Sequence, residues 1–363
     1  MRPISRSQFL KYGLTAVCAA SILAGCSSKS ANNSAPGTTT ASASPPITIA
    51  YSDWPGWVAW DIAEQQGFFA KHHANVKLVW FPVYTDSLNA LAAGQVDANC
   101  QTWSDTLGPL SQGLPLTTVL VNDNSYGNDA MIAQPGFTSV KSLRGKTIAT
   151  ELGTCDHFLM LKALQANGMT DQDVHYVNIK VQDCPAAMLA KRVDAAVVWE
   201  PSRTKILKDV KGTTSVFDSS MIPGLIPDLL VMKSSVVTQR PQDVQNIVDA
   251  WYDAIDWWRA HPDAAVKILA KRTETPIPDY KNFIKGTRIF SAPEALAAMT
   301  KSDALTSLYT SGASNSQFLL QQKQITKIPD YGSTIDSQFV KAAIDKGLGK
   351  KAPYDYKTPI SKA

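Results

Sequence analysis

Ala93-Gly94-Gln95-Val96-Asp97-Ala98 is the stretch from which the fold can be read, because it returns in spirit as Ala190-Lys191-Arg192-Val193-Asp194-Ala195. Each copy follows an apolar-periodic helix, Thr85 to Ala92 in the first case and Pro185 to Ala190 in the second. Each then opens a short apolar strand that delivers a tryptophan beside an acid: Trp103 with Asp105, and Trp199 with Glu200. Repeated strand–helix units imply an α/β protein with parallel sheets, whose ligand sites lie outside the carboxyl ends of the strands.

Working outward, the same pattern extends in both directions. Ile47 to Tyr51 reads as a strand and Pro55 to Gln66 as a helix closed by Gly67. Val76 to Phe81 and Pro115 to Val121 complete a first unit. Around Asp123 to Asp129 the chain is expected to cross to a second lobe. There Thr147 to Glu151, Val174 to Ile179 and Asp194 to Trp199 are strands, with helices starting at Cys155 and Pro185. Asp228 to Met232 reads as the return strand, and Asp243 to Ala260 as a helix presenting Ile247, Trp251, Ile255 and Trp258 on one face. A chain of 363 residues exceeds what one core usually supports. The expected organisation is lobe 1 over 47–125, lobe 2 over 126–228, and a return with C-terminal helices over 229–363. Two crossings between lobes make a hinge that can close on a ligand.

The front of the chain is of another kind. Arg2, Arg6 and Lys11 precede an apolar run from Tyr12 to Ala24, which ends at Leu23-Ala24-Gly25-Cys26. This reads as a secretory signal over 1–25. The tetrad resembles a bacterial lipobox, which makes Cys26 the lipidation site and the first mature residue. The apolar run is shorter than the roughly 20 residues a membrane span needs, so the expected anchor is lipid. Ser5 to Lys11 also resembles a twin-arginine signal with Ser7 in the second arginine position, which leaves the export route open. Residues 26–46 are rich in Ser, Thr, Ala, Asn and Pro with one charge, Lys29, and read as a flexible tether. The expected location is the extracytoplasmic or periplasmic face of a bacterial membrane. With the signal removed, the formal charge of +4 falls close to neutral. No basic stripe interleaved with aromatics occurs, which argues against nucleic acid as a partner.

Five motifs occur in order: Tyr51-Ser52-Asp53-Trp54-Pro55-Gly56-Trp57, Gln66-Gly67-Phe68-Phe69, Ala93 to Asp97, Leu143-Arg144-Gly145-Lys146 and Val198-Trp199-Glu200-Pro201. Together they resemble the nitrate/sulfonate/taurine group of solute-binding proteins for ABC importers, over about Ile47 to Asp263. The resemblance implies a two-lobed type II periplasmic-binding-protein fold with a ligand cleft between the lobes. It also implies a monomer that hands a small-molecule ligand to an ABC permease and its ATPase. The same fold serves pyrimidine-precursor synthases of thiamine biosynthesis, but their cysteine-rich run has no counterpart here.

The turns after the strands should line the cleft. The residues expected to bind ligand are Asp53, Trp54, Thr102, Trp103, Thr154, Asp156, Trp199 and Glu200, with the tryptophans as aromatic contacts and the threonines as hydroxyl donors. Replacing Trp103 or Glu200 by Ala is expected to weaken binding and leave the apo melting temperature nearly unchanged. Trp57, Trp60 and Trp80 are assigned to the core. Acids outnumber bases at these turns, and the nearest base is Arg203. This composition favours a small cationic or neutral nitrogen compound, such as guanidinium or urea. The alternative is a sulfonate, taurine or nitrate anion held by helix N-termini and hydroxyls.

Cys155 and Cys184 each start a helix after neighbouring strands, so they either form a disulfide or remain free thiols. No paired-cysteine or histidine spacing for a metal occurs, and no cofactor motif. His72-His73 reads as solvated surface. An exported hydrolase would need Cys155-Asp156-His157 to converge, but adjacent helical residues point apart, and no nucleophile elbow is present. The chain is therefore expected not to be an enzyme, with a ligand-sensing lipoprotein as a further alternative.

Overall fold

The structure, a computed structural model, describes residues 44–356. Cys26, the signal over 1–25 and the tether up to residue 43 lie outside the described residues. The last tether residues are bonded to the body: Ser44 accepts from the Asn75 side chain at 2.7 Å, and Pro45 from Arg240 at 2.8 Å.

Eleven strands occur among the described residues: β1 (Ile47–Tyr51), β2 (Val76–Trp80), β3 (Ala98–Thr102), β4 (Leu116–Ser125), β5 (Ala130–Ala133), β6 (Thr147–Thr150), β7 (His175–Asn178), β8 (Ala195–Val198), β9 (Thr214–Asp218), β10 (Pro227–Lys233) and β11 (Thr287–Ile289). They form two sheets, one of six strands in the order β11-β4-β10-β3-β1-β2 and one of five in the order β7-β6-β8-β5-β9. Within each sheet three strands run parallel: β1 with β2 and β3, and β6 with β7 and β8. One strand in each sheet is antiparallel to both its neighbours: β10 lies between β3 and β4, and β5 between β8 and β9. The protein is thus an α/β fold of two lobes, each a mixed sheet flanked by helices.

β5, β9 and β11 escape the sequence reading. They hold four, five and three residues, too few for a period-2 pattern to emerge. The helix expected from Pro55 instead begins as a 3-10 turn at Trp57–Ala59 and becomes α-helical over Trp60–Gln65. His72 is not solvated surface, because its Nε2 meets the Asp253 carboxylate, which Lys71 also reaches at 2.6 Å.

The first lobe is organised around aromatic contacts. Trp60 lies 4.7 Å from Trp251 of the Pro241–Ala260 helix, centroid to centroid, and stacks on Phe69 at 5.9 Å. Trp60 also donates its indole N–H to Cys100 at 3.2 Å. Large rings dominate such contacts because each removes a wide apolar area from water. The same helix buries Ile247, Ile255 and Trp258, the face its 3.6-residue period assigns to the core.

The chain passes between the sheets twice, after β4 and before β10. The two crossings are bonded to one another. Ser125 and Ser219 share a hydrogen bond of 2.7 Å between their hydroxyls, Ser219 accepts from the Gly127 N–H at 2.7 Å, and the Ser125 N–H donates to Ile226 at 3.0 Å. Paired crossings of this kind confine relative movement of two lobes to a hinge.

Candidate functional site

Between the lobes, the ends of strands from both sheets enclose a cavity of about 10 Å³, room for about one water-sized sphere. Trp54, Trp57, Tyr84 and Thr102 line it from the first lobe, and Asp129, Cys155 and Trp199 from the second. Ile226 and Asp228 close it from the returning chain. Four aromatic rings and two carboxylates therefore face one point.

Local structure aims each group. Trp54 follows β1 and donates its indole N–H to Asp123 at 2.9 Å. Asp123 lies against Gly56, where an added Cβ would come within 1.9 Å of its carboxylate, so only glycine fits there. Tyr84 starts the Tyr84–Ala92 helix and packs its ring 5.1 Å from Trp57. Thr102 ends β3 and caps the next helix through the Asp105 N–H at 3.4 Å.

The lobes touch around this cavity. Trp199 donates its indole N–H across the gap to Asp53 at 3.3 Å and sits edge-on to Tyr84 at 5.6 Å. Thr85 donates its hydroxyl to Glu151 at 2.7 Å. Lys180 approaches Asp86 at 4.0 Å, but both side chains are about half exposed, so this pair contributes little. The conformation is closed.

The electrostatics are one-sided. No Lys or Arg lines the cavity, and Arg203 is engaged by Glu200 at 3.0 Å. Burial pushes the Asp129 carboxyl up to about 7, with the Ser125 hydroxyl pulling it back and the Asp105 charge adding to the rise. Burial likewise lifts Asp53 to about 7 and Asp105 to about 6. Asp228 is held well above the carboxylate range by burial and then by the neighbouring Asp123 and Asp129 charges. Asp156 is raised in the same way, by burial and then by Asp129. Asp129 Oδ2 and both oxygens of Asp156 have no hydrogen-bond partner, whereas the Asp123 and Asp228 carboxyls can share a proton with each other. A buried carboxylate left without a donor costs free energy unless a cation or a proton meets it. The donor atoms of Asp129, Cys155 and Asp156 lie within 4.8 Å of one another, close enough to share one positive centre.

Of the residues expected from sequence, Trp54, Thr102 and Trp199 are in the cavity wall. Asp53 stands at its edge, bound to Trp199. Asp156 is fully buried behind Cys155 and Asp129. Thr154 gives its hydroxyl to the Glu151 carbonyl at 2.8 Å and borders an adjoining hollow of about 230 Å³ with Asp105, His157 and Phe158. Two assignments change. Trp103 points into the first lobe, donates to the Leu308 carbonyl at 3.0 Å and meets Tyr331 edge-on at 5.8 Å. Glu200 is spent on the start of the Ser202–Asp209 helix, accepting from the Thr204 N–H at 2.9 Å, from its hydroxyl and from Arg203. The disulfide alternative also falls: Cys155 and Cys184 are both free, the first turned to Asp129 at 3.9 Å and the second to the Ile179 carbonyl.

The sequence reading did not place Asp129, Ile226 or Asp228 at the site, and it assigned Trp57 to the core. A signal was present for Asp228, which lies at the start of the return strand that periodicity locates, at a crossing between lobes where a hinged protein places its ligand; Asp129 precedes β5, which is too short to show such a pattern. Larger surface hollows lie elsewhere, about 490 Å³ beside Arg288 and Glu294 and about 930 Å³ beside Lys301 and Asp330. They combine no such rings and unpartnered carboxylates, so size alone does not locate the site.

Residues 57–265 match the family described as NMT1/THI5 like. A protein of Brucella abortus (strain 2308), named as a binding protein, is 29% identical over 232 residues, 62% of this chain and 71% of that one. The taurine-binding periplasmic protein of Escherichia coli (strain K12) is 24% identical over 288 residues, 77% of this chain and 88% of its own length. Among solved structures, the alkanesulfonate-binding protein SsuA of Xanthomonas axonopodis pv. citri bound to MOPS superposes with a TM-score of 0.69 at 17% identity. It covers 81% of this chain and 100% of that chain. At that identity the likeness speaks for the fold, which is of the type II periplasmic-binding-protein kind.

Proposed function

The chain belongs to the NMT1/THI5-like family, and from that premise we propose that it is the extracytoplasmic solute-binding component of an ABC importer, closing its lobes on a small nitrogen-containing cation. The observation that carries the charge of the ligand is the cavity itself. Four aromatic rings, the unpartnered Oδ2 of Asp129 and the Asp228 carboxyl converge without a base. Rings of this kind attract a cation by roughly 0.5–2 kcal/mol each, more where water is excluded. With the lobes slightly further apart than in this structure, whose cavity has room for about one water, a planar cation such as guanidinium could lie against Trp or Tyr while donating to both carboxylates. Neutral urea would donate to the carboxylate oxygens but leave the charge uncompensated.

The mechanism follows from the two lobes. In an open form, Asp53 and Tyr84 on one lobe and Trp199 on the other would be separated and solvated. Ligand entry supplies positive charge to the buried acids. Closure then lets Trp199 reach Asp53 and Thr85 reach Glu151. The closed form is the one a permease would receive, and reopening there releases the solute. Covalent chemistry is not part of this reading, because burial and the Asp105 charge push the Cys155 thiol far up, away from a reactive thiolate.

A second reading has support of its own. The relatives are named for taurine and aliphatic sulfonates, and the helices starting at Trp103 and Cys155 both begin beside the cavity. On that reading an anion is held by backbone donors. Thermal melting of the purified chain separates the two. The panel holds guanidinium, urea and methylammonium beside taurine, methanesulfonate and nitrate. A ligand at 100 times its Kd adds about 2.7 kcal/mol. Stabilisation by guanidinium or an amine supports the cationic reading, and stabilisation by sulfonate or nitrate alone replaces it with the second.

A further inference from the structure

The hollow of about 490 Å³ on the first lobe shares no lining residue with the solute cavity, and it gathers three bases, Arg288, Lys350 and Lys351. Arg288 is the middle residue of the edge strand β11 and pairs in register with Asn124 of β4. Only 8% of it is exposed. The C-terminal segment closes the open side of β11. The Tyr356 hydroxyl accepts from the Ile289 N–H at 3.0 Å and donates to the Thr287 carbonyl at 2.8 Å. The same segment brings Lys350 and Lys351 to the hollow.

The Arg288 guanidinium lies over two rings, its carbon 4.5 Å from the Tyr126 centroid and 4.5 Å from that of Tyr356. Rings engage the face of a guanidinium. They leave its N–H donors, which lie in the plane of the group, to find acceptors elsewhere. Here Nε is buried without a partner. A buried donor in this state costs free energy until an acceptor arrives. The two acids of the hollow are engaged by other groups. Glu294 folds back on the start of its own helix, taking the Ser291 N–H at 2.8 Å and the Ser291 hydroxyl at 2.6 Å. Asp355 pairs with Arg259 at 3.0 Å. Arg288 is therefore the inverse of Asp129 in the cleft, a buried cation with a donor to spare.

We propose that this hollow is a second binding site, for a small oxyanion of the carboxylate or phosphate class, held by the Arg288 fork and attracted by Lys350 and Lys351. Two oxygens of such a group match the spacing of guanidinium donors, and charge-assisted bonds of this kind are roughly twice as strong as neutral ones. Lys350 and Lys351 are exposed, so the attraction they add is screened by salt. Tyr126 is the first residue past β4 and donates its N–H to the Gly286 carbonyl at 2.8 Å. The site thus stands on the first lobe beside a crossing between lobes, away from the surfaces that close on solute.

The test titrates phosphate and succinate separately into the full chain by calorimetry, in Tris buffer of low ionic strength at neutral pH. Saturable binding of one or both is expected, and the anion that binds more tightly identifies the class. R288K keeps the positive charge but loses the planar fork, and should weaken that binding about tenfold or more. The double variant K350S/K351S changes exposed side chains alone, so it reads the site even if R288K does not fold. It should weaken binding about threefold and flatten its dependence on salt. Absence of saturable binding by both anions overturns the proposal. Binding that the folded variants leave at the parent affinity overturns it equally, because the anion then sits elsewhere on the chain.

Discussion

The two copies of the motif that reveals the fold do the same structural work and different functional work. Asp97 takes the backbone N–H of Thr48 at 3.0 Å and returns its own N–H to the Thr48 carbonyl at 3.1 Å. Asp194 does the same with Thr147, at 2.9 and 2.8 Å. Each ties the start of one strand to the start of the parallel strand beside it, β3 to β1 and β8 to β6. The turn before each aspartate needs a residue with positive φ, Gly94 at 72° in one lobe and Lys191 at 53° in the other. Beyond the aspartates the copies diverge by one residue. Side chains alternate faces along a strand. The fifth residue after Asp97 is Thr102 and the fifth after Asp194 is Trp199, and both line the cavity. Trp103 is the sixth, and it turns into the core. Two tryptophans that look equivalent in sequence therefore stand on opposite sides of their strand ends.

The strongest way to break this comparison is to delete each ring. Trp103→Ala is expected to lower stability by about 3–5 kcal/mol, the range for a large buried aromatic whose site cannot collapse. Solute affinity of the folded fraction should survive. Trp199→Ala should lose less stability and weaken solute binding about tenfold or more, since a ring face and its bond to Asp53 both go. Urea denaturation paired with titration reads both quantities. If Trp103→Ala abolished binding in a folded protein, the one-residue offset would not carry the functional difference.

This case also marks what was legible in the sequence. The lobes, their parallel strands and the return strand at Asp228 follow from periodicity and from the repeated Val-Asp-Ala turn, which are local signals. The position of Trp103 is not local. It depends on a helix over 200 positions later bringing the Leu308 carbonyl to its indole. Glu200 misleads for another reason, because an acid just before a helix serves equally as a cap or as a ligand contact, and here Thr204 and Arg203 claim it. Asp129 was hidden because its importance comes from Asp105, Cys155 and Asp156 gathering around it, and these belong to separate elements. The acidic character of the cleft was nevertheless readable from its turns, since none of them carries a base.

A second contrast sets the acidic wall of the cavity against the rest of the fold. Asp53, Asp105 and Asp129 hold protons more tightly when folded than the ordinary carboxyl value of 3.8 allows, chiefly through burial. Their contribution to stability is full below that ordinary value and is lost as pH rises through about 6 to 7. The solute-free chain should therefore melt higher at about pH 5 than at about pH 7.5. Asp129→Asn should raise the melting temperature at the higher pH, by about 1–3 kcal/mol of stability, and flatten this dependence. The same variant should bind guanidinium more weakly. A variant that lost stability at about pH 7.5 would show that the Asp129 charge is compensated without ligand.

The smallest effects test the part the two copies share. Asp97 accepts from both the N–H and the hydroxyl of Thr48 and pairs with Lys233 at 2.7 Å, whereas Asp194 accepts from the Thr147 N–H. Asp97→Ala should cost about 1–2 kcal/mol and Asp194→Ala about 0.5–1.5 kcal/mol, with solute affinity unchanged in both. The pH dependence sharpens the difference. Burial works to raise the Asp97 carboxyl, but the Lys233 and Thr48 donors outweigh it and hold the group below its ordinary value. Stability from Asp97 is then present above the ordinary carboxylate range and lost as pH falls through its lowered value. The gap between the parent chain and Asp97→Ala, followed by denaturant titration, should be widest near neutrality and narrow below about pH 4. A gap that persisted unchanged in acid would mean that the second lobe's simpler bond, one N–H to one carboxylate, is all that either copy contributes.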